Sequence, residues 1–74
     1  MNTNWENIKT ILNDNPHAKI MCSVKFNGMK HYYQGYFVKD YHNDILFHYI
    51  DSKKQNTCRH VTDTFNNNKL DILF

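Results

Sequence analysis

The chain has 74 residues, 41% of them apolar and 22% charged, with nine Lys and Arg against seven Asp and Glu, giving a formal charge of +2 and a pI near 8.6. So short a chain buries roughly 60% of the surface that its unfolded form exposes and rarely spares the walls of a cleft of about 300 to 1,000 Å³, which argues against an enzyme. One Trp, five Tyr and five Phe exclude a disordered protein; no apolar run of about 18 residues offers a membrane span, and an N-terminus bearing Asn, Glu and Asp does not read as a signal peptide, so the cytoplasm is expected.

Trp5, Ile8, Ile11 and Leu12 recur at spacings of three and four, which predicts an amphipathic helix from Asn4 to Leu12 within an N-terminal unit over 1–15. Thr3 and Glu6 have the spacing of a capping box. Asn13, Asp14 and Asn15 before Pro16 end the helix, because the residue before proline avoids helical dihedrals. About three turns do not hold alone, so the helix is expected to dock across one open end of a barrel.

From Lys19 the period becomes two: Ile20, Cys22, Val24 and Phe26 alternate with Lys19, Met21, Ser23 and Lys25, the pattern of a strand with one buried face. Asn27-Gly28 then predicts a two-residue hairpin of type I′, which places Met29, His31, Tyr33, Gly35 and Phe37 on the face of Phe26; a three-residue loop would invert that register. The second strand is expected from Lys30 to Lys39, bent at Gly35. The turn-forming run Asp40 to Asp44 precedes a third strand, Ile45 to Ile50, which is apolar on both parities and reads as buried. A second turn over Asp51 to Gln55, a fourth strand from Thr57 to Val61, a turn anchored by Phe65 and a short fifth strand from Leu70 to Phe74 complete the count. The expected fold is mainly β: one domain, a helix followed by a five-stranded, strongly bent antiparallel barrel over 18–74.

These residues carry a family resemblance. Val24-x-Phe26-Asn27-Gly28, Tyr33-x-Gly35-x-Phe37 and Asp40 with Asn43 before Ile45 and Leu46 resemble the first motif of the Sm-like small barrels; Cys58-Arg59-His60-Val61 is similar to their second, with His60 in place of its glycine. Length, leading helix and the Gly35-to-Asp40 stretch also resemble the monomeric Rho-binding antiterminators. The resemblance implies that Asp40, Asn43 and Arg59 cradle a base in an RNA-binding member, or that the chain occupies the RNA-binding surface of a protein.

Cys58-x-His60, His31 and His48 could between them supply three metal ligands, but the spacing is that of no standard zinc module, so the histidines read as structural or surface residues and no metal or cofactor is expected. Cys22 alternates with core residues and Cys58 has only His60 beside it, which a strand points the other way, so nucleophilic catalysis is not expected. Both thiols are read as reduced and partly buried. Tyr32, Tyr36 and Tyr41 with Lys25, Lys30 and Lys39 form an aromatic and basic cluster suited to single-stranded nucleic acid, to a protein interface, or to a half-exposed strand with no partner.

The candidate contact residues are therefore Tyr32, Tyr36, Asp40, Tyr41, Asn43, Arg59 and His60. The expected function is a non-enzymatic module that modulates RNA or transcription machinery by occupying a protein partner's surface, as a monomer or small homo-oligomer. Two alternatives stay open. A composition rich in Asn, Lys, Ile, Tyr and Phe suits an AT-rich genome and hence a phage or mobile-element inhibitor of a host defence nuclease; the other is direct RNA binding.

Overall fold

The structure is a computed structural model; it describes residues 3–62 and 70–74, with Thr3 by its backbone alone. The expected turn around Phe65 and the Thr3 half of the capping box lie outside the described residues. Helix α1 (Thr3–Asp14) is followed by β1 (Ile20–Phe26), β2 (Tyr33–Lys39), β3 (Ile45–Ile50), β4 (Asn56–Val61) and β5 (Leu70–Leu73). All pairings are antiparallel in one sheet of order β4-β3-β2-β1-β5. No helix among the described residues is long and apolar enough to cross a membrane.

The expected closure into a barrel does not occur. β5 has only four residues and pairs with β1 over Ser23–Phe26, so β4 and β5 remain the two edges of the sheet. The sheet is nevertheless strongly curled. Three strand spacings separate β4 from β1, about 14 Å in a flat sheet, yet the Arg59 guanidinium of β4 lies 4.7 Å from the centre of the Phe26 ring of β1.

Curling gives the sheet a concave side, and the core fills it. Phe26, Phe37 and Phe47 are almost fully buried, with ring centres 6.0 Å apart for Phe26 and Phe47 and 4.8 Å for Phe37 and Phe47, and Tyr49 extends the cluster to Tyr33 at 5.3 Å. Offset and tilted rings at such separations add roughly 0.5 to 1.5 kcal/mol per pair beyond their buried area. The helix covers the rest through Trp5, Ile8 and Leu12, with Trp5 6.1 Å from Phe37. The fourth residue of the expected stripe, Ile11, stands at the rim and is 42% exposed. Asn4 Nδ2 donates to the Ile72 carbonyl at 2.7 Å and Lys39 Nζ to Asn13 Oδ1 at 2.6 Å, which fixes the helix at both ends.

The β1–β2 hairpin keeps the expected facing but not the expected turn. Val24, Cys22 and Ile20 pair with Tyr33, Gly35 and Phe37, so these do share the face of Phe26. A type I′ turn needs positive φ at both central residues, whereas only Gly28 has it, at 86°. The Met29 amide closes the turn on the Phe26 carbonyl at 3.0 Å. Turns other than the primed types splay the strands they join, and the ladder accordingly begins only at Val24 and Tyr33, leaving Met29 to Tyr32 as a connection.

Gly35 marks where β3 comes closest. A Cβ there would fall inside the contact distance of the His48 carbonyl oxygen and 2.9 Å from Phe47 Cζ.

Candidate functional site

The outer face of the sheet carries the side chains that the core does not use. By register, Met21 stands opposite Tyr36, Tyr36 opposite His48, and His48 opposite Cys58, one row across four strands. Tyr36 and His48 stack with ring centres 5.1 Å apart and planes within 9°, and the Lys19 ammonium sits 5.0 Å from the Tyr36 ring. Met21, Ile50 and Leu73 on this face are 69%, 58% and 49% exposed. The third strand, expected to be buried on both faces, thus buries only Phe47 and Tyr49 and presents His48 and Ile50 outward.

Tyr32 is remote from Tyr36. It precedes β2, donates its hydroxyl hydrogen bond to Asp71 of β5 and lies under Lys25, 5.2 Å from its ring. That bond holds the phenol protonated above its ordinary value. Lys19 and Lys25 are six residues apart, about 20 Å along a strand, so the expected aromatic and basic cluster is two separate pairs. Tyr41 is a third element, 91% exposed and packed on His42 in the β2–β3 turn. Lys39 is engaged with Asn13.

Asp40 and Asn43 build that turn. The Asp40 amide donates to the Asp44 carbonyl at 2.9 Å, Asn43 donates back to the Asp40 carbonyl at 3.1 Å, and Asp40 Oδ1 accepts from the amides of His42 and Asp44 at 2.9 and 3.0 Å. The β3–β4 turn repeats the design: Asp51 and Gln55 pair at 3.0 Å, Lys54 donates to the Asp51 carbonyl at 3.0 Å, and Asp51 Oδ1 accepts from Lys53 and Gln55 at 2.9 and 3.0 Å. In each the fourth residue is left-handed, Asn43 at φ 67° and Lys54 at φ 61°. Aspartate at the first position supplies the side-chain acceptor that such turns favour. The resemblance between Asp40-x-x-Asn43 and a base cradle thus coincides with a turn the chain uses twice.

Arg59 does not join Asp40 and Asn43. It lies within β4, opposite Phe47, on the concave side with Val61; its guanidinium covers Phe26 and its Nε donates to the Tyr49 hydroxyl at 3.0 Å. His60 points outward, 4.0 Å from the Asp44 carboxylate, both exposed. His48 and Cys58 face each other on the outer side, and no group of three candidate metal ligands forms among the described residues. Cys22 is buried, as its alternation implied, and burial pushes its thiol up to about 11. Cys58, expected to be partly buried, is exposed; desolvation and then the Asp40 charge raise its thiol too.

A groove of about 410 Å³ opens on the β2–β4 half of the outer face, lined by Gln34, Tyr36, His48, Ile50 and Asn56 with the backbone of Gly35, Tyr49 and Thr57 as its floor. Of these the sequence marks Tyr36 as a contact residue and His48 only as a metal ligand in principle. The missed signal was the strict alternation of β3, masked by its apolar residues on both parities.

The Asp51 carboxyl is held below its ordinary 3.8, chiefly by the Gln55 amide and also by Thr57 Oγ1 and the Lys53 amide. A pKa lower in the folded than in the unfolded state contributes stability above the unfolded value, and loses it as pH falls through the folded one. Asp51→Ala should therefore melt below the wild type at pH 7, with the gap narrowing once pH falls beneath 3.8. Thermal melts across that range test it; a gap independent of pH would mean the carboxylate does not hold the turn.

Comparison with protein-family models, with curated proteins and with solved structures finds nothing that matches this chain.

Proposed function

We propose that the chain is a non-enzymatic binding module that modulates RNA or transcription machinery by occupying the surface of a protein partner with the outer face of its sheet. The observation that carries this reading is the exposure of Met21, Ile50 and Leu73 around the Tyr36–His48 stack, on the side of the sheet opposite the helix. Large apolar and aromatic groups gathered on one face gain most by excluding water against another surface, and tyrosine is a preferred anchor at such contacts. The Sm-like resemblance in Val24–Gly28, Tyr33–Phe37 and Asp40–Leu46 supports a partner that handles nucleic acid. The cradle reading draws less support, because the Asp40 carboxylate serves its own turn and Arg59 serves the core.

Affinity capture from the native host with wild type and variants tests this. Tyr36→Ala should weaken capture of the partner by about 2 kcal/mol while leaving the melting temperature nearly unchanged. Arg59→Ala should do the reverse, costing about 1 kcal/mol of stability through the lost Phe26 and Tyr49 contacts and sparing the partner. Recovery of a defence nuclease instead of RNA or transcription machinery would support the phage-inhibitor alternative. Normal capture by Tyr36→Ala would remove the outer face from the proposal.

A further inference from the structure

The groove across β2, β3 and β4 differs in chemistry from the apolar residues nearer β1 and β5. Side chains two apart on a strand stand about 6.7 Å from one another on the same face. One row contributes the stacked rings of Tyr36 and His48; in the next, Gln34 and Asn56 place a carboxamide on either side of Ile50. The polar side chains of this lining are a phenol, an imidazole and two carboxamides, which both donate and accept, and none of the lining residues is acidic.

Cations flank it. Lys19 lies over Tyr36 on one side, and the turn joining β3 to β4 carries the exposed Lys53 and Lys54 on the other. The Asp51 carboxylate at the base of that turn is directed to the amides of Lys53 and Gln55 and to Thr57 Oγ1. A slot with an aromatic wall, neutral groups of both hydrogen-bonding senses and positive charge at its two flanks complements a planar ring with polar edges attached to phosphates. A volume of about 410 Å³ lies within the range of small-ligand sites and admits one such ring with its sugar.

We infer that this groove receives one unstacked base of a single-stranded nucleic acid. The carboxamides of Gln34 and Asn56 pair with its edge, Tyr36 and His48 form the aromatic wall, and Lys19, Lys53 and Lys54 neutralise the neighbouring phosphates. The inference goes beyond the docking reading; the two share Tyr36, His48 and Ile50, while Met21 and Leu73 belong to the docking reading alone.

The test is to titrate the full chain, labelled with ¹⁵N, with short single-stranded homo-oligomers of each base at about 50 mM salt, where phosphate contacts are strong. Shifts should concentrate at residues 34–36, 48–50 and 56–57, with one or two bases preferred because carboxamides read the edge. Gln34→Ala and Asn56→Ala, both exposed positions, should each weaken binding roughly tenfold without altering the melt. The logarithm of affinity should fall with that of salt by roughly 0.7 per phosphate engaged. Absence of shifts at millimolar oligomer, shifts in the Asp40–Asp44 turn or spread over every lysine, or unchanged binding by both variants would each overturn it. Leu73→Ser, on β5 and outside the groove, separates the two readings: it should weaken protein capture while leaving oligomer binding intact, so either can fail alone.

Discussion

Gly35→Val should leave no cooperatively folded protein, and Gly35→Ala should cost roughly 3 kcal/mol or more, at the severe end of overpacking substitutions. The reason is the nature of the atoms a side chain would meet. Phe47 Cζ, at 2.9 Å, belongs to a buried ring with little room to turn, and the other neighbour is the His48 carbonyl, a backbone group in the middle of the sheet. Moving that carbonyl means separating β3 from β2 where Gly35 pairs with Tyr49, and the neighbouring pair, Tyr36 with His48, would open with it. A domain of this size is stabilised by only about 4 to 11 kcal/mol, so the loss of one such contact consumes much of the margin. Circular dichroism melts and the dispersion of a proton NMR spectrum decide the matter. A soluble Gly35→Val variant with the wild-type melting temperature would mean that β2 and β3 do not approach as described.

Trp5→Ala should lower stability by roughly 3 to 5 kcal/mol, the range for emptying a buried aromatic site. Trp5 is 2% exposed, packs on Phe37 and lies 5.9 Å beneath the Lys9 ammonium. Its removal takes from the helix the largest of the three side chains, with Ile8 and Leu12, that hold it over the concave side. An isolated helix of 12 residues is marginal in water, so α1 should fray together with the contact. Urea unfolding followed by far-ultraviolet dichroism measures the loss. A cost below about 1 kcal/mol would show that the helix contributes little to the core.

Much of the fold was legible because its signals were local and mutually consistent. Alternation from Ile20 to Phe26 set both the first strand and its inward face, and parity carried through Asn27-Gly28 to Tyr33, Gly35 and Phe37 even though the turn itself is of another type. Turn chemistry is harder to read, since Asn tolerates positive φ without requiring it. Burial within a uniformly apolar segment was not legible at all: Ile45 to Ile50 offers no polar residue to mark the outward side except His48, and only pairing with β2 and β4 assigns Ile50 to solvent.

At the candidate site the decisive clue for Arg59 was two residues away. Val61 is buried, and a strand places Arg59 on the same side. The resemblance centred on Arg59-His60 implied contact with a base, whereas Arg59, on the strand expected there, turns to Phe26 and Tyr49. The groove depends on residues from three strands that only the register brings side by side, so no run of sequence announces it.

The order of the strands also decides what the two ends of the chain mean to each other. β1 to β4 form a meander in which each strand pairs with its sequence neighbour, while β5 returns to lie beside β1 and the helix contacts β2 and β5. Asn4, near one terminus, is hydrogen-bonded to Ile72, near the other. Helix α1 and β5 therefore act as a clasp on one side of an otherwise sequential sheet. Trimming the last strand, whether by a protease or by design, would strip β1 of a neighbour and deprive α1 of half its seat at once.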